Sequence, residues 1–305
     1  MANWNTILDE LKTKNNRFDE VRRNYLKELS ELTERNVIIY YSGWLKKGEL
    51  RNHGVNGFNI NDNDKNGFMS TIHKLDTDKG LDLLLHTPGG SMAATESLVD
   101  YLRSIFGNNI RAFVPQLAMS GGTMISCACK EIYMGKQSSI GPIDPQINGL
   151  PAHGIIEEFE QARKDIKQNK ANIPLWQPII NKYNPTLIGE CQKALKWSKT
   201  MVKKWLKTGM FEGEDAEDKI DAIIKELSDH ALNKSHNRHI SLERAKEMGL
   251  KVKELENDDE LQDKVLTVHH STMLTLTHKP VIKIIENHKG VANITSINVK
   301  AIKNN

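Results

Sequence analysis

The stretch LDLLLHTPGGSMAATESLVDYLRSIFGNNIRAFVPQLAMSGGTMISCACKEIYMG, residues 81–135, decides the fold. Three of its runs, LDLLLH, IRAFVP and EIYMG, are short and apolar and predict strands. The segments between them, SMAATESLVDYLRSIF and GGTMISCACK, predict helices. Strands that alternate with helices over short connections indicate a parallel sheet flanked by helices. We therefore predict an α/β fold.

The flanking sequence extends this pattern. Apolar residues recur at helical spacing from about Thr6 to Arg35 and predict one long amphipathic helix. NVIIYYS (36–42) predicts a buried strand, and residues 43–67 form a long polar loop of the kind that is usually functional or mobile. From Pro151 to about Leu232 the pattern is mainly helical.

These segments suggest a division of the chain into three parts. We predict an N-terminal helix over 1–35, a main α/β domain over 36–252, and a C-terminal extension over 253–305. Neither an internal repeat nor a low-complexity tract interrupts the pattern.

The composition excludes several classes of protein. Forty-two Lys and Arg against 39 Asp and Glu give a net charge of +3, which is too balanced to indicate a nucleic-acid partner. The first residues lack the pattern of a secretory signal, and no run of about 18 apolar residues predicts a membrane span. Three cysteines fit a reducing compartment better than a disulfide framework. We expect a cytoplasmic protein.

Two glycine loops follow neighbouring predicted strands, HTPGGS after LDLLLH and PQLAMSGG after IRAFVP. The carboxyl ends of parallel strands meet at one edge of a sheet, so these loops should lie close together. Ser120 is then a candidate nucleophile, and the backbone N–H groups of Gly90 and Gly121 are candidate donors to an oxyanion. Tight strand-to-helix turns would explain the same glycines, and the residues alone leave both interpretations open.

A family resemblance favours the first interpretation. LLLHTPGGSMAATESLVDYLRS, FVPQLAMSGGTMISCACKEIYMGKQSSIGPIDPQI and the distal HNRHISLERAKEMGLKV resemble the Clp/crotonase superfamily of serine proteases. Within it, they are similar to signal peptide peptidase A and to the serine dehydrogenase proteinase family. The resemblance implies a Clp/crotonase-like sheet, a nucleophilic Ser120, an oxyanion hole at Gly90 and Gly121, and a homo-oligomer to which the N-terminal helix could contribute.

The general base is not fixed by this resemblance. The position of the Clp triad histidine falls in SSIGPIDPQ, which contains no histidine. Signal peptide peptidases use a lysine about 50 residues beyond the serine, which makes Lys170 the first candidate, beside Lys164 and Lys167. A lysine needs burial to lower its pKa before it can act as a base. His236, which matches the family's distal histidine, is the second candidate.

Other residues suggest structural roles. Asp144, in GPIDPQ, either orients a base or fixes a turn between two prolines. Cys127 and Cys129 lie in an apolar stretch and predict packing rather than metal binding. We expect neither a metal nor another cofactor.

Three functions remain open from the sequence. The first is an ATP-independent serine peptidase that cleaves peptides or unfolded protein segments. The second is an acyl-CoA enzyme of the crotonase type, which would share the fold and the two-donor oxyanion hole. The third is an inactive assembly protein of the same fold.

Overall fold

The computed structural model describes residues 4–228 and 238–297. Its strands are β1 (Asn36–Ser42), β2 (Leu81–His86), β3 (Ile110–Val114), β4 (Leu117–Ala118), β5 (Glu131–Met134), β6 (Ser139–Ile140), β7 (Gln146–Ile147), β8 (Leu150–Pro151), β9 (Ile240–Ser241), β10 (Val252–Glu254), β11 (Val281–Asn287) and β12 (Ala292–Ser296).

The α-helices are α1 (Trp4–Thr13), α2 (Phe18–Thr33), α3 (Trp44–Lys47), α4 (Asn63–Ile72), α5 (Met92–Phe106), α6 (Gly121–Cys127), α7 (Ala152–Gln168), α8 (Ile173–Ile180), α9 (Leu187–Thr208), α10 (Glu217–Ser228), α11 (Leu242–Glu247) and α12 (Asp259–His278). Short 3-10 helices occupy Gly48–His53, Thr77–Lys79, Lys170–Asn172 and Leu255–Asn257.

The main sheet, as far as the structure describes it, has the strand order β10-β5-β3-β2-β1-β11-β12. The five strands from β10 to β1 run parallel to one another, whereas β11 and β12 are antiparallel additions beside β1. The predicted α/β class with a flanked parallel sheet is confirmed. The strands predicted at 36–42 and 81–86 match β1 and β2 residue for residue.

Both faces of the sheet are covered, so its central strands are buried throughout. Ile38 and Tyr40 of β1 join the core beneath α4, α5, α6, α9 and α10. Val37, Ile39 and Tyr41, which alternate with them, join a second core beneath α2 and α12. A strand buried on both faces reads as a continuous apolar run, which is why NVIIYYS has no polar alternation.

The N-terminal segment differs from its prediction. It forms two helices, α1 and α2, because Asn15 and Asn16 adopt φ values of 53° and 58° and turn the chain between them. Asparagine tolerates this left-handed conformation better than most residues. Both helices pack against α12, which leaves their apolar faces covered within the same chain.

The segment predicted as a C-terminal extension is part of the same core in its described portion. Its strand β11 pairs with β1, and its helix α12 packs on α2. No helix in residues 4–228 and 238–297 combines the length and the apolar content needed to cross a bilayer.

Candidate active site

The two glycine loops lie side by side at the carboxyl edge of the sheet. Thr87, just after β2, pairs with Ala118 in a parallel bridge. The Thr87 nitrogen donates to the Leu117 carbonyl at 3.1 Å, and the Met119 nitrogen donates to the Thr87 carbonyl at 2.9 Å. These bonds fix the loop after β2 against the turn that carries Ser120. The structure thus brings together the two glycine loops, whose proximity the sequence predicted.

Ser120 occupies a strained backbone conformation, with φ 51° and ψ −111°, directly before α6. A non-glycine residue in such a sparsely populated region costs about 1–3 kcal/mol, and such strain concentrates at functional sites. The Ser120 side chain makes no capping hydrogen bond to α6. A sharp strand-to-helix turn of this kind presents a serine hydroxyl for attack on a substrate.

The glycines around Ser120 are needed for close backbone packing. A β-carbon on Gly89 would lie 2.7 Å from the Gly121 nitrogen, and Gly89 itself has φ 87°. A β-carbon on Gly121 would lie 2.8 Å from the Thr95 hydroxyl oxygen and 3.5 Å from the Gly90 nitrogen. One on Gly122 would meet the Thr87 methyl group at 2.6 Å. Side chains at these positions would push the two loops apart.

Gly90 and Gly121 also supply backbone donors at the cleft. Both residues line it beside Ser120. Among the described residues, neither the Gly90 nitrogen nor the Gly121 nitrogen donates to a protein acceptor. Two N–H groups beside a candidate nucleophile can stabilise the oxyanion that forms during acyl transfer.

The cleft beside Ser120 has a volume of about 420 Å³. Its apolar wall comes from Met92, Met124, Ile143 and Pro145, and its polar lining includes Asn59, Ser91 and Gln146. Sequence reasoning did not identify these three polar residues. Ser91 follows the predicted PGG loop directly and accepts a hydrogen bond from the Ala94 nitrogen as the N-cap of α5, a signal that the sequence carries.

One wall of the site comes from the long polar loop between β1 and α4. Residues 59–61 of this loop, called here the strap, run beside the PGG loop. The Ile60 nitrogen donates to the Gly89 carbonyl at 2.8 Å, and the Ser91 nitrogen donates to the Ile60 carbonyl at 3.0 Å. Phe58 and Ile60 are buried, and their alternation within a polar loop is the sequence signal for this short extended segment.

The structure does not bring Lys170 to the cleft. It lies in the exposed 3-10 helix after α7, and Lys164 and Lys167 are exposed as well. The apolar residues that follow Lys170 in the sequence cannot desolvate it in this chain, because Ile173 is 43% and Leu175 is 65% exposed. The assignment of Lys170 as the base therefore stays a prediction.

The second candidate base, His236, lies outside the described residues. The described chain on either side of it is tied to the cleft wall. The Ile143 nitrogen donates to the Leu227 carbonyl at 2.9 Å, and Ile240 pairs with Ile140. Asp144 is buried, 2% exposed, between Ile143 and Pro145 of the cleft wall.

Two cysteines lie in the region behind Ser120. Cys127 and Cys129 are buried free thiols, and burial raises the pKa of Cys127 to about 12. They therefore remain protonated at neutral pH and serve as packing groups. No group of three His, Cys, Asp or Glu side chains that could hold a metal ion occurs in the described parts of the chain.

The sequence matches the model of the ClpP-like SDH-type serine proteinase family over residues 6–285. The chain belongs to this family. The match confirms the resemblance found from the glycine loops, and it takes in α1, α2 and most of β11 as well as the central sheet. Because the family is one of serine proteinases, we interpret the site around Ser120 as a candidate serine-peptidase site.

Two relatives of this chain come from Methanocaldococcus jannaschii. The uncharacterized protein MJ0137 is 30% identical over 189 residues, covering 62% of this chain and 59% of that protein. The uncharacterized protein MJ1495 is 28% identical over 189 residues, covering 62% and 57%. The chain thus matches less than two thirds of the length of either relative.

A weaker likeness is to a solved structure, a mutant of the membrane-bound stomatin-specific protease 1510-N. It has a TM-score of 0.40 and 18% sequence identity, and it covers 68% of this chain and 79% of that chain. This likeness supports no conclusion about activity.

Proposed function

We propose that the protein is an ATP-independent serine peptidase that cleaves peptides or unfolded protein segments, with Ser120 as its nucleophile. The observation that carries this proposal is the strained Ser120 turn packed directly against the PGG loop. Membership of a serine proteinase family supports the same chemistry.

The chemistry follows from the groups at the cleft. The Ser120 hydroxyl oxygen attacks a peptide carbonyl carbon while a base takes its proton. The carbonyl oxygen becomes negative and accepts hydrogen bonds from the Gly90 and Gly121 nitrogens. The carbon–nitrogen bond then breaks, and the leaving amine takes the proton from the base. Water, deprotonated by the same base, hydrolyses the acyl ester and restores Ser120.

The base in this scheme is Lys170 or His236, and paired variants distinguish them. If Lys170 is the base, Lys170→Met abolishes hydrolysis with the fold intact, whereas His236→Ala retains activity. The reverse result assigns the base to His236. For Lys170, contact with another molecule would have to supply the desolvation that a basic lysine needs, since its side chain is exposed in this chain.

We also propose that the protein works as a homo-oligomer in the cytoplasm. Helix α8, IPLWQPII, contains no charged residue, and none of its residues is buried. An exposed apolar helix on a monomer marks a contact with another molecule. The N-terminal helices are less suited to this role because they are packed on α12.

The proposed function is tested by hydrolysis of an unfolded protein substrate. Ser120→Ala should abolish cleavage, since an alanine supplies no nucleophile. Ser104→Ala is the matched control, because Ser104 is exposed on α5 and does not line the cleft. We expect Ser104→Ala to keep its cleavage activity. Equal cleavage by wild type and Ser120→Ala would overturn the proposal, and an inactive wild type would favour an assembly role.

A further inference from the structure

A buried ion pair lies on the α4 side of the sheet, beyond the strap. Lys283 of β11 and Asp64 of α4 are 2% and 5% exposed. The Lys283 ammonium lies 2.7 Å and 2.9 Å from the two carboxylate oxygens of Asp64. Burying two charges costs more solvation energy than most such pairs return as stability. The other contacts of the pair suggest what it does.

The first set of contacts holds the strap on both sides of Ile60. The Lys283 ammonium donates to the Asn59 carbonyl at 2.8 Å, and the Asn61 nitrogen donates to Asp64 at 3.0 Å. Ile60, between them, forms the two hydrogen bonds to Gly89 and Ser91 described above. The ion pair therefore fixes the segment that fixes the backbone on both sides of Gly90.

The second set of contacts reaches the same loop through β1. The Tyr40 hydroxyl donates to Asp64 at 2.7 Å, and Tyr40 pairs with Leu85 of β2, the strand that leads into the PGG loop through Thr87. The Gly89 nitrogen donates to the Thr87 hydroxyl at 3.2 Å. The PGG loop is thus held from two directions by groups that converge on one carboxylate.

We infer that Lys283 and Asp64 are positioning residues for hydrolysis, which hold the Gly90 N–H in place through the strap and through Tyr40 of the neighbouring strand. This inference rests on the proposed function. Neither residue lines the cleft, so neither touches the substrate. Removal of the ammonium leaves the Asp64 carboxylate buried with fewer donors, and the strap loses the bond to the Asn59 carbonyl.

A matched control exists on the same strand. Glu286 of β11 and Arg22 of α2 form another buried ion pair, each 0% exposed, with Arg22 Nε 2.5 Å from the Glu286 carboxylate. This pair lies on the opposite face of β11, against α2 and α12. Arg22→Met disturbs a buried charge pair of the same strand without contacting the strap or the PGG loop.

The experiment compares Lys283→Met and Asp64→Asn with Arg22→Met. A fluorophosphonate that labels the nucleophile counts competent sites, so kcat is obtained per labelled site. Backbone hydrogen exchange of residues 59–61 and 89–91 reports the positioning directly, independently of hydrolysis. Asp64→Asn preserves the side-chain volume, so this variant tests the inference if Lys283→Met does not fold.

Both network variants should lower kcat per labelled site about 10- to 100-fold, because small misplacements of catalytic groups have effects of this size. Their KM should stay within about twofold of wild type, and backbone hydrogen exchange at 59–61 and 89–91 should be faster. Lys283→Arg, which keeps the charge, should restore part of the rate. Arg22→Met should have wild-type kcat per labelled site.

Network variants with wild-type kcat per labelled site and unchanged exchange would overturn this inference while leaving the proposed function intact. A loss of kcat per labelled site in Arg22→Met as large as in the network variants would also overturn the inference, because it would show a general effect of lost stability. An inactive wild type overturns the proposed function alone, since the exchange measurement still decides whether the network holds the loop.

Discussion

Gly89 and Ser120 are packed backbone against side chain: a β-carbon on Gly89 would lie 2.6 Å from the β-carbon of Ser120. This separation is far below a van der Waals contact, so no side chain fits between the two loops. The contact makes the PGG loop and the Ser120 turn one rigid unit.

Gly90→Ala should remove most of the peptidase activity. Its β-carbon would lie 2.3 Å from the Ile60 carbonyl oxygen and 2.4 Å from the Ile60 nitrogen, and neither backbone atom can rotate away. The loop must shift, which displaces an oxyanion donor whose loss typically lowers kcat about 100-fold or more. Steady-state kinetics per labelled site measures this effect.

Gly189→Ala is the control for this substitution. Gly189 lies in α9 with no atom within 4 Å of an added β-carbon. It should leave kcat unchanged and stabilise the helix by roughly 1 kcal/mol. Wild-type kcat in Gly90→Ala would contradict the assigned oxyanion loop.

Thr123→Val should loosen the segment that leads into the cleft wall at Ile143 and Pro145. The Thr123 hydroxyl donates to the Ala118 carbonyl at 2.9 Å and accepts from the Gly141 nitrogen at 2.9 Å, all in buried surroundings. A valine removes both hydrogen bonds, and a buried backbone group that is left unsatisfied costs about 1–3 kcal/mol. Hydrogen exchange at the Gly141 amide should accelerate in Thr123→Val and stay slow in Thr123→Ser. Equal exchange in the two variants would show that the hydroxyl does not hold this wall.

The protein should lose stability in mild acid because of His86. Burial lowers the pKa of His86 to about 3, from an ordinary value of 6.5. Between these values the unfolded chain binds a proton that the folded chain does not. The contribution of His86 to the free energy of unfolding is therefore fully present above pH 6.5 and is lost progressively as the pH is lowered. His86 alone should remove about 2 kcal/mol between pH 7 and pH 5.

Urea unfolding at the two pH values checks this, with His86→Phe as the comparison. The His86 ring packs 4.3 Å from the Trp44 ring and 5.4 Å from the Tyr41 ring, so a phenyl ring suits the site without titrating. The variant should lose less stability between pH 7 and pH 5 than wild type. Burial also lowers the pKa of His269, so some acid sensitivity should remain in the variant. An identical loss in wild type and His86→Phe would rule out His86 as the source.

Leu175→Glu should weaken self-association. Leu175 is 65% exposed in the uncharged helix α8, and a carboxylate there would have to be desolvated in an apolar contact. Light scattering after gel filtration should give a multiple of the 34.6 kDa chain mass for wild type and a smaller species for the variant. A monomeric wild type, or an unchanged assembly in Leu175→Glu, would exclude α8 as the contact.

The central sheet was predictable because its strands are short apolar runs separated by helices of clear periodicity. Helix α12 was not predicted, since it is buried on most of its surface and carries Thr, Ser and His residues among its apolar ones. A helix buried all round has no single apolar stripe to mark it. The break at Asn15 and Asn16 interrupts a periodic pattern without a glycine or proline to signal it.

The candidate site was predictable only where chain order determines it. The loops with Gly90 and Ser120 follow adjacent parallel strands, so topology places them together. The strap and its support by Lys283 depend on contacts across more than 200 residues, which no local pattern encodes. Asn59 therefore enters the site only through the tertiary fold.

The assignment of Ser120 as the nucleophile is tested by reacting the protein with a fluorophosphonate and mapping the adduct by mass spectrometry. We expect the Ser120 oxygen to displace fluoride at phosphorus, which places one adduct per chain on the peptide containing Ser120 and none on the peptide containing Ser91. Adduct on another residue, or no adduct on an intact and folded protein, would contradict Ser120 as the nucleophile.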